Sequence, residues 1–142
     1  MRVLLALQLI SHSVAEGLRY YKSRIDELKD CGSTANFCDI FNFGFDALNR
    51  TTRETGIRLD SEDFKILQLL LDWLDAWEQR VLDGTLEKKD FLTESTAHGL
   101  RVTLHSTIEL SHYLLEKCKF DYVLTGKINQ DSLEVRLVTI QR

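Results

Sequence analysis

Two pairs of polar side chains, each three residues apart, are the groups in this sequence best suited to chemistry. Asp131 and Glu134 fall at i and i+3, so they would share one face of a helix near its N-terminus. Such a pair could hold Mg²⁺, which takes carboxylates together with water and phosphate oxygens. Acidic residues in a first helical turn are also ordinary capping residues that suit the helix dipole, and spacing alone favours that simpler interpretation.

The second pair, Asp46 and Asn49, lies on a predicted helix that is otherwise rich in phenylalanine. A carboxylate among aromatic rings could accept both N–H groups of a guanine edge, and the amide could reach the guanine O6 atom. Spacing by itself is weak evidence, because polar residues at i and i+3 usually mark the exposed face of a helix. Two interpretations therefore stay open, a base-reading pair and an exposed polar face.

Two further patterns resemble functional motifs without meeting their requirements. His98, His105 and His112 repeat every seventh residue on one predicted helix. Seven residues rise about 10.5 Å, too far for two of these side chains to share a metal ion. We therefore interpret the histidines as half-buried flank positions. The Gly126-Lys127 dipeptide lacks the rest of a phosphate-binding loop, and we reject that motif.

The composition is that of one ordinary globular domain. The chain has 142 residues, 44% hydrophobic and 28% charged, and no proline, which favours long helices. Its formal net charge of -4 differs from the basic charge usual for an autonomous nucleic-acid binder. Three cysteines without a CxxC spacing predict free thiols rather than a zinc site. No segment reaches the roughly 20 apolar residues of a membrane span, so we expect no membrane partner.

The spacing of apolar residues predicts an all-α fold, a bundle of about four helices followed by a short C-terminal helix. The first helix would run from about residue 3 to residue 28; its apolar start resembles a short signal peptide, but the helical spacing continues beyond it. Gly32 would terminate this helix, and Ser33 would cap the next. The second helix carries apolar residues three and four apart, namely Phe37, Ile40, Phe41, Phe45 and Leu48.

The third helix is apolar over more than one face and is therefore predicted to be central. Asp60 or Ser61 would cap it, and Asp83-Gly84 would end it. Its expected core positions are Phe64, Leu67, Leu70, Leu71, Leu74 and Val81, widened by Leu69, Trp73 and Trp77. Thr93 would cap the fourth helix, whose expected core positions are Leu100, Leu104, Ile108, Leu110, Leu114 and Leu115.

The end of the chain contains shorter predicted elements. Residues 119–123 are expected to form a short extended piece and residues 125–127 a turn, after which Asn129 would cap the last helix. A charged connector at residues 85–90 is the best internal boundary. We therefore divide the chain into residues 1–90 and 91–142.

Several strings along nearly the whole chain, in the same order, resemble P-element-like, THAP-type DNA transposases. The most specific is Asn-Gln-Asp-Ser-Leu-Glu at 129–134, which resembles the closing region of these enzymes, as do residues 92–103, 113–115 and 120–125. Upstream, residues 1–3, 8–15 and 41–49 resemble their insertion domain. On this resemblance, residues 1–90 are the insertion domain and residues 91–142 return to the catalytic core.

The insertion domain of this family is helical and binds GTP, which helps the transposase to assemble with the ends of its element. The resemblance implies that Asp46 and Asn49 read the guanine base. Arg2, Val3 and Ser11 fall where the family contacts the nucleotide, although lysine is more usual at the position of Arg2. GTP is therefore the expected cofactor, and transposon-end DNA the expected partner in the full-length context.

The catalytic core of the family is RNase H-like and contains two aspartates and one glutamate. The resemblance implies that Glu134 is the catalytic glutamate and that Asp131 is an acidic neighbour close to the Mg²⁺ ions. Metal-assisted strand cleavage and transfer by two metal ions needs all three acids. The aspartates would precede Met1, so we expect a transposase fragment that is not catalytically competent alone.

A second departure from the family follows Glu134. Residues 135–138 replace the paired phenylalanine and the glycine that are usual there. The resemblance implies a nuclear protein. The alternative function is a ligand-free helical interaction module derived from a transposon, in which the wide apolar face of the third helix would drive self-association.

Overall fold

The computed structural model describes residues 8–128, and this part of the chain is all-α. It contains four α-helices: α1 (His12–Tyr21), α2 (Gly32–Leu48), α3 (Asp63–Leu82) and α4 (Glu94–His112). Short 3₁₀ turns cover Asp26–Leu28, Lys88–Asp90 and Thr125–Lys127, and a π-helical turn, Tyr113–Lys117, continues α4. The chain divides into two compact units between Asp46 and Ala47, inside α2. The all-α prediction is confirmed.

Helix α1 begins at a cap that sequence periodicity hides. Ser11 has extended backbone (φ -106°, ψ 157°), and its hydroxyl accepts a hydrogen bond from the Val14 N–H at 3.4 Å. A turn at Ile10 and Ser11 separates α1 from the helical residues before it, and α1 ends at Tyr21. The prediction of one continuous helix to residue 28 is wrong, because a serine that caps a helix interrupts the backbone while leaving the apolar spacing intact.

Helix α2 starts two residues earlier than predicted, at Gly32 rather than after a cap at Ser33. Gly32 is its first residue, and the Cys31 carbonyl accepts a hydrogen bond from the Ala35 N–H at 2.9 Å. The expectation that Gly32 terminates a helix and Ser33 caps the next is therefore wrong, because the preceding 3₁₀ turn leaves no α-helix to terminate. The left-handed glycine of the described chain is Gly84 (φ 79°), which follows the end of α3 as predicted.

The first unit has a core of small side chains. Ala15 from α1 and Ala35 and Cys38 from α2 are buried. Partly buried apolar side chains pack around them, namely Ile10, Val14, Leu18 and Phe37. All three cysteines of the chain are free, as predicted.

The second unit has a core of large aliphatic side chains. Most of it comes from α3, with additions from α4 and the π-helical turn: Leu67, Leu70, Leu71, Leu74, Leu104 and Leu115. These were all expected core positions. Leu69 and Leu110, also expected inside, are 57% and 39% exposed. The apolar stripe read from the sequence is wider than the face that α3 and α4 bury.

The N-terminal cap of α4 is the predicted one, whereas that of α3 is not. The Thr93 hydroxyl accepts a hydrogen bond from the Thr96 N–H at 3.3 Å and caps α4 as expected. Helix α3 instead begins after Glu62, which makes no side-chain capping bond. The expected cap at Asp60 or Ser61 is wrong, because the Ser61 hydroxyl accepts the Arg58 N–H at 2.8 Å.

Side-chain contacts join α4 and its flank to α3. Arg101 of α4 donates to Asp75 at 2.8 Å and to Glu78 at 2.6 Å. The rings of Trp73 and Trp77 lie 4.9 Å apart, and Phe91 packs edge-on against Trp77. The second unit therefore combines an aliphatic core with an aromatic and ionic margin.

The segments that flank the α3–α4 pair meet in one backbone pairing. Ile57 and Val123 exchange two N–H···O=C hydrogen bonds of 2.9 Å in an antiparallel bridge. Nearby, the Thr125 hydroxyl donates to the Ala47 carbonyl at 2.7 Å and accepts the Arg50 N–H at 3.0 Å. The buried threonine thus satisfies a carbonyl at the end of α2 that no helical N–H reaches.

Candidate functional site

A small hollow in the first unit brings together one of the expected guanine readers and several apolar side chains. Its volume is about 230 Å³, and it is lined by Ile10, Phe41, Asn42, Phe45 and Asp46. Four of these residues come from consecutive turns of α2, and Ile10 lies just before the Ser11 cap. Typical small-molecule pockets measure about 300–1,000 Å³, so this hollow suits one heterocyclic ring system rather than a whole nucleotide.

The polar wall of the hollow is a pair of hydrogen-bonded side chains one helical turn apart. The Asn42 Nδ2 atom donates to Asp46 Oδ2 at 3.2 Å. Asn42 Oδ1 in turn accepts the backbone N–H of His12 at 3.3 Å. Within residues 8–128, the second carboxylate oxygen of Asp46 has no hydrogen-bond partner. The carboxylate is therefore held from one side and can accept hydrogen bonds on the other.

The start of α1 is held to α2 by a charged cluster beside Asn42. His12 Nδ1 lies 2.8 Å from Asp39 Oδ1, and Arg19 Nη2 lies 2.5 Å from Asp39 Oδ2. The hydrogen bond from His12, followed by that from Arg19, lowers the pKa of Asp39 below its ordinary value against the opposing effect of burial. The carboxylate of Asp39 stays charged, so it keeps α1 and α2 in place next to the hollow.

The structure places the nucleotide-binding candidates in different settings. Asp46 is exposed at the hollow, while the Ser11 hydroxyl is engaged as the α1 cap next to Ile10. Asn49 is half-buried, directly after the last residue of α2, and belongs to the second unit. Arg2 and Val3 lie outside the described residues. Of the residues expected to bind the nucleotide, Asp46 is the one that lines the hollow among residues 8–128.

The metal and catalytic candidates, Asp131 and Glu134, also lie outside the described residues. Within residues 8–128, no group of three His, Cys, Asp or Glu side chains converges in a way that could hold a metal ion. In the same range, no helix is both long and apolar enough to cross a membrane.

The histidine stripe has a structural explanation at one position. His112 is half-buried and stacks on Phe64, with ring centroids 4.1 Å apart. His98 and His105 are exposed, so the expectation that all three are half-buried is wrong for these two. The stacking of His112 on Phe64 joins the end of α4 to the start of α3.

Sequence reasoning missed Asn42 as a member of the site. The prediction used the i, i+3 pair of Asp46 and Asn49 and not the i, i+4 pair of Asn42 and Asp46. That spacing places an amide and a carboxylate on the same helix face, where they hydrogen-bond. The bond to His12 had no sequence signal, because it joins residues distant in the chain.

Two comparisons with known proteins point the same way. Residues 1–57 match the family described as "TNP-like, GTP-binding insertion domain". Over 134 residues, 94% of this chain, the sequence is 29% identical to the Transposable element P transposase of Drosophila melanogaster. Both matches support kinship with P-element-like transposases. The chain spans 18% of the length of that relative. No solved structure matches this chain.

Proposed function

We propose that this chain binds GTP and that the hollow beside Asp46 holds the guanine base. The observation that carries the proposal is the Asp46 carboxylate, which has one oxygen without a hydrogen-bond partner among residues 8–128 and lies at the rim of an apolar hollow with the volume of one ring system. The match of residues 1–57 to a GTP-binding insertion domain supports the same ligand. The hollow lies within the matched residues.

The chemistry of Asp46 selects guanine among the common purines. Guanine presents two adjacent N–H donors, N1–H and the exocyclic amine, and an ionised carboxylate accepts both. Adenine presents an unprotonated N1 at the same edge, and its lone pair would face the negative charge. The apolar side chains of Ile10, Phe41 and Phe45 supply surface against which the faces of the base can pack.

The sugar and phosphates extend beyond a hollow of this size. By resemblance, Ser11, Arg2 and Val3 contact the nucleotide, and Asn49 assists Asp46 with the base. Arg2 carries the positive charge that a phosphate requires. Because the Ser11 hydroxyl already caps α1, its contribution would come at the N-terminus of that helix, where backbone N–H groups are unsatisfied.

The wider role proposed for the chain is that of a P-element-like, THAP-type transposase segment. Residues 1–90 would form the GTP-binding insertion and residues 91–142 would return to an RNase H-like core. Glu134, with Asp131, would supply the last acid of a Mg²⁺ site for DNA transposition in the nucleus. Transposon-end DNA would bind only in the context of the full transposase.

The test is a titration of the 142-residue chain with fluorescently labelled GTP, with and without Mg²⁺. We expect saturable binding that Asp46→Ala weakens about 10- to 100-fold, because hydrogen bonds to a charged group contribute about 1.5–3 kcal/mol. Asp30→Ala, which removes an exposed aspartate of the same unit, should leave the affinity unchanged.

A second variant, Asp46→Asn, tests the reading of the base directly. The amide can donate a hydrogen bond to the C2 carbonyl of xanthine, so we expect preference to shift from GTP towards xanthosine triphosphate. No saturable GTP binding by the wild-type chain, or equal affinities for the wild type and Asp46→Ala, would contradict the proposal.

The alternative function is a helical interaction module that binds no nucleotide. An open hollow of about 450 Å³ between α3 and α4 favours it, because Phe64, Leu69 and Ile108 line this surface and Leu69 is largely exposed. Size-exclusion chromatography with light scattering distinguishes the two functions. Self-association that Leu69→Glu abolishes, in a chain that does not bind GTP, would favour the alternative.

A further inference from the structure

We propose that Asn42 is a positioning residue that fixes the Asp46 carboxylate for base recognition, and that the backbone N–H of His12 sets the orientation of Asn42. The proposal rests on the GTP-binding function proposed above and names the group that prepares its base-reading residue. The three groups form a chain of hydrogen bonds from the start of α1, through the Asn42 amide, to the rim of the hollow.

The direction of this chain follows from what each group can do. A backbone N–H only donates, so the Asn42 atom that faces His12 at 3.3 Å must be the amide oxygen. The NH₂ group then faces Asp46, and an ionised carboxylate only accepts. The amide therefore has one self-consistent orientation. In the flipped orientation, the NH₂ group would face the His12 N–H, and the amide oxygen would face the Asp46 carboxylate.

The His12 N–H is available because it lies at the beginning of a helix. The first N–H groups of an α-helix have no partner inside it, and His12 follows the Ser11 cap directly. The Ser11 hydroxyl takes the N–H of Val14, whereas Asn42 takes that of His12. One hydrogen bond thus satisfies an exposed helix end and orients the amide that holds Asp46.

Holding Asp46 before the ligand arrives removes a cost of binding. A carboxylate that already occupies its binding rotamer loses less conformational freedom, which corresponds to a change in Kd of about two- to tenfold for one side chain. Orientation also sharpens discrimination. A fixed carboxylate rewards a base with two adjacent donors, while a freely rotating one adapts to a base with a single donor.

The first experiment compares wild type, Asn42→Leu, Asp46→Ala and the double variant, using titrations with GTP and inosine triphosphate. Leucine resembles asparagine in shape but makes no hydrogen bond. We expect Asn42→Leu to weaken GTP binding about two- to tenfold. Inosine lacks the exocyclic amine, so its triphosphate should be affected less. The substitution should have no further effect in the Asp46→Ala background, since it acts through that carboxylate.

Equal losses for GTP and inosine triphosphate, or an undiminished loss in the Asp46→Ala background, would overturn the role of Asn42. A merely structural defect would produce those results, because it would weaken both ligands alike and would not depend on Asp46.

The second experiment tests the role of the His12 backbone with a matched pair of variants. His12→Pro removes the N–H, and proline is well tolerated at the first residue of a helix. Ser11 already has the extended backbone that the residue before a proline adopts. His12→Ala keeps the N–H but loses the imidazole contact with Asp39. We expect His12→Pro to weaken GTP binding more than His12→Ala, and equal effects would contradict the relay.

A ligand-free measurement separates this inference from the proposed function. The Asn42 side-chain NH₂ resonances, observed by NMR without nucleotide, should shift in Asp46→Ala and His12→Pro and stay in place in His12→Ala. Failure of the wild-type chain to bind GTP, with these shifts present, overturns the proposed function and leaves the relay standing. Unshifted resonances overturn the relay whether or not GTP binds.

Discussion

The two units of the chain bury different kinds of side chain. Among the described residues of the first, the buried core side chains are Ala15, Ala35 and Cys38, and α1 and α2 are also joined by polar contacts such as the pair of His12 and Asp39. In the described part of the second, six leucines are buried together with Ile57 and Val123. Free energy gained by burial grows by about 25 cal/mol for each Å² of apolar surface removed from water. Because a leucine side chain has more apolar surface than alanine, the buried side chains among residues 8–128 contribute more hydrophobic stabilisation in the second unit than in the first.

This difference matches the distribution of the candidate site. The hollow beside Asp46 lies in the unit with the small core, and binding elements are generally drawn from the less stable parts of a structure. A ligand that binds only the folded form adds to its stability. On the proposed function, GTP should therefore stabilise the first unit more than the second. Three substitutions test the difference between the stabilising contacts of the two units.

The largest effect is expected from Leu74→Ala. Leu74 is fully buried in α3, and truncation of such a leucine costs about 2–5 kcal/mol of unfolding free energy. Both tryptophans of the chain, Trp73 and Trp77, lie in the second unit, so their fluorescence during urea unfolding reports that unit.

Leu69→Ala, at an exposed position of the same helix, is the matched control and should change the stability by less than about 0.5 kcal/mol. Hydrogen exchange in α1 should be unaffected by Leu74→Ala. Equal loss of protection in α1 and α3 would break the contrast, because it would mean that the two units unfold as one.

An intermediate effect is expected from Gly56→Ala. A Cβ atom at this position would stand 2.9 Å from Tyr122 Cδ2 and 3.2 Å from Leu124 Cδ2. Overpacking of this kind costs about 1–3 kcal/mol. Gly99→Ala in α4 is the control, since nothing lies within 4 Å and alanine is the better helix former by about 0.5–1 kcal/mol. Tryptophan fluorescence during urea unfolding measures the change in unfolding free energy. A loss for Gly56→Ala and a gain for Gly99→Ala would support these contacts, whereas changes of the same sign would contradict them.

The smallest effect is expected from the charge of Asp39 in the first unit. The folded-state pKa of this carboxyl is lowered, so its contribution is present above the unfolded value near 3.8 and is lost as the pH falls through the folded pKa. The contribution should be at most about 1 kcal/mol, because the His12 and Arg19 partners are partly exposed.

NMR thermal unfolding of α1 between pH 6 and pH 3 measures this dependence. Asp39→Asn should flatten it, whereas Asp30→Asn, which alters an exposed carboxyl, should not. A wild-type profile that Asp39→Asn leaves unchanged would show that the polar contacts of the first unit contribute little to its stability.

The predictable part of the fold is the part governed by long apolar periodicity. The leucines of α3 and the Thr93 cap follow from spacing and from ordinary capping chemistry. The break of the first predicted helix at Ser11 does not follow from spacing, because a cap inside an apolar run leaves the periodicity intact. Ser61 was misjudged because its hydroxyl had a second acceptable partner, the Arg58 N–H. Local competition between such partners depends on tertiary geometry.

The predictable part of the candidate site is one residue. Asp46 was identified from its chemistry among aromatic neighbours and from resemblance, and it lines the hollow. Asn42 was accessible in principle from its i, i+4 spacing to Asp46. The contribution of Ile10 and the His12 N–H depends on how α1 meets α2, and no short-range pattern in the sequence encodes that meeting.

The bridge between Ile57 and Val123 has a consequence for how the chain can be altered. Because these two residues pair directly, the segment between them, which contains α3 and α4, begins and ends at one place in the second unit. Lengthening a flexible loop costs entropy only logarithmically, at about 0.6 kcal/mol for each doubling of its length. New sequence inserted at the exposed turn around Gly84, which joins α3 to α4, should therefore be accommodated while the pairing of Ile57 with Val123 is kept.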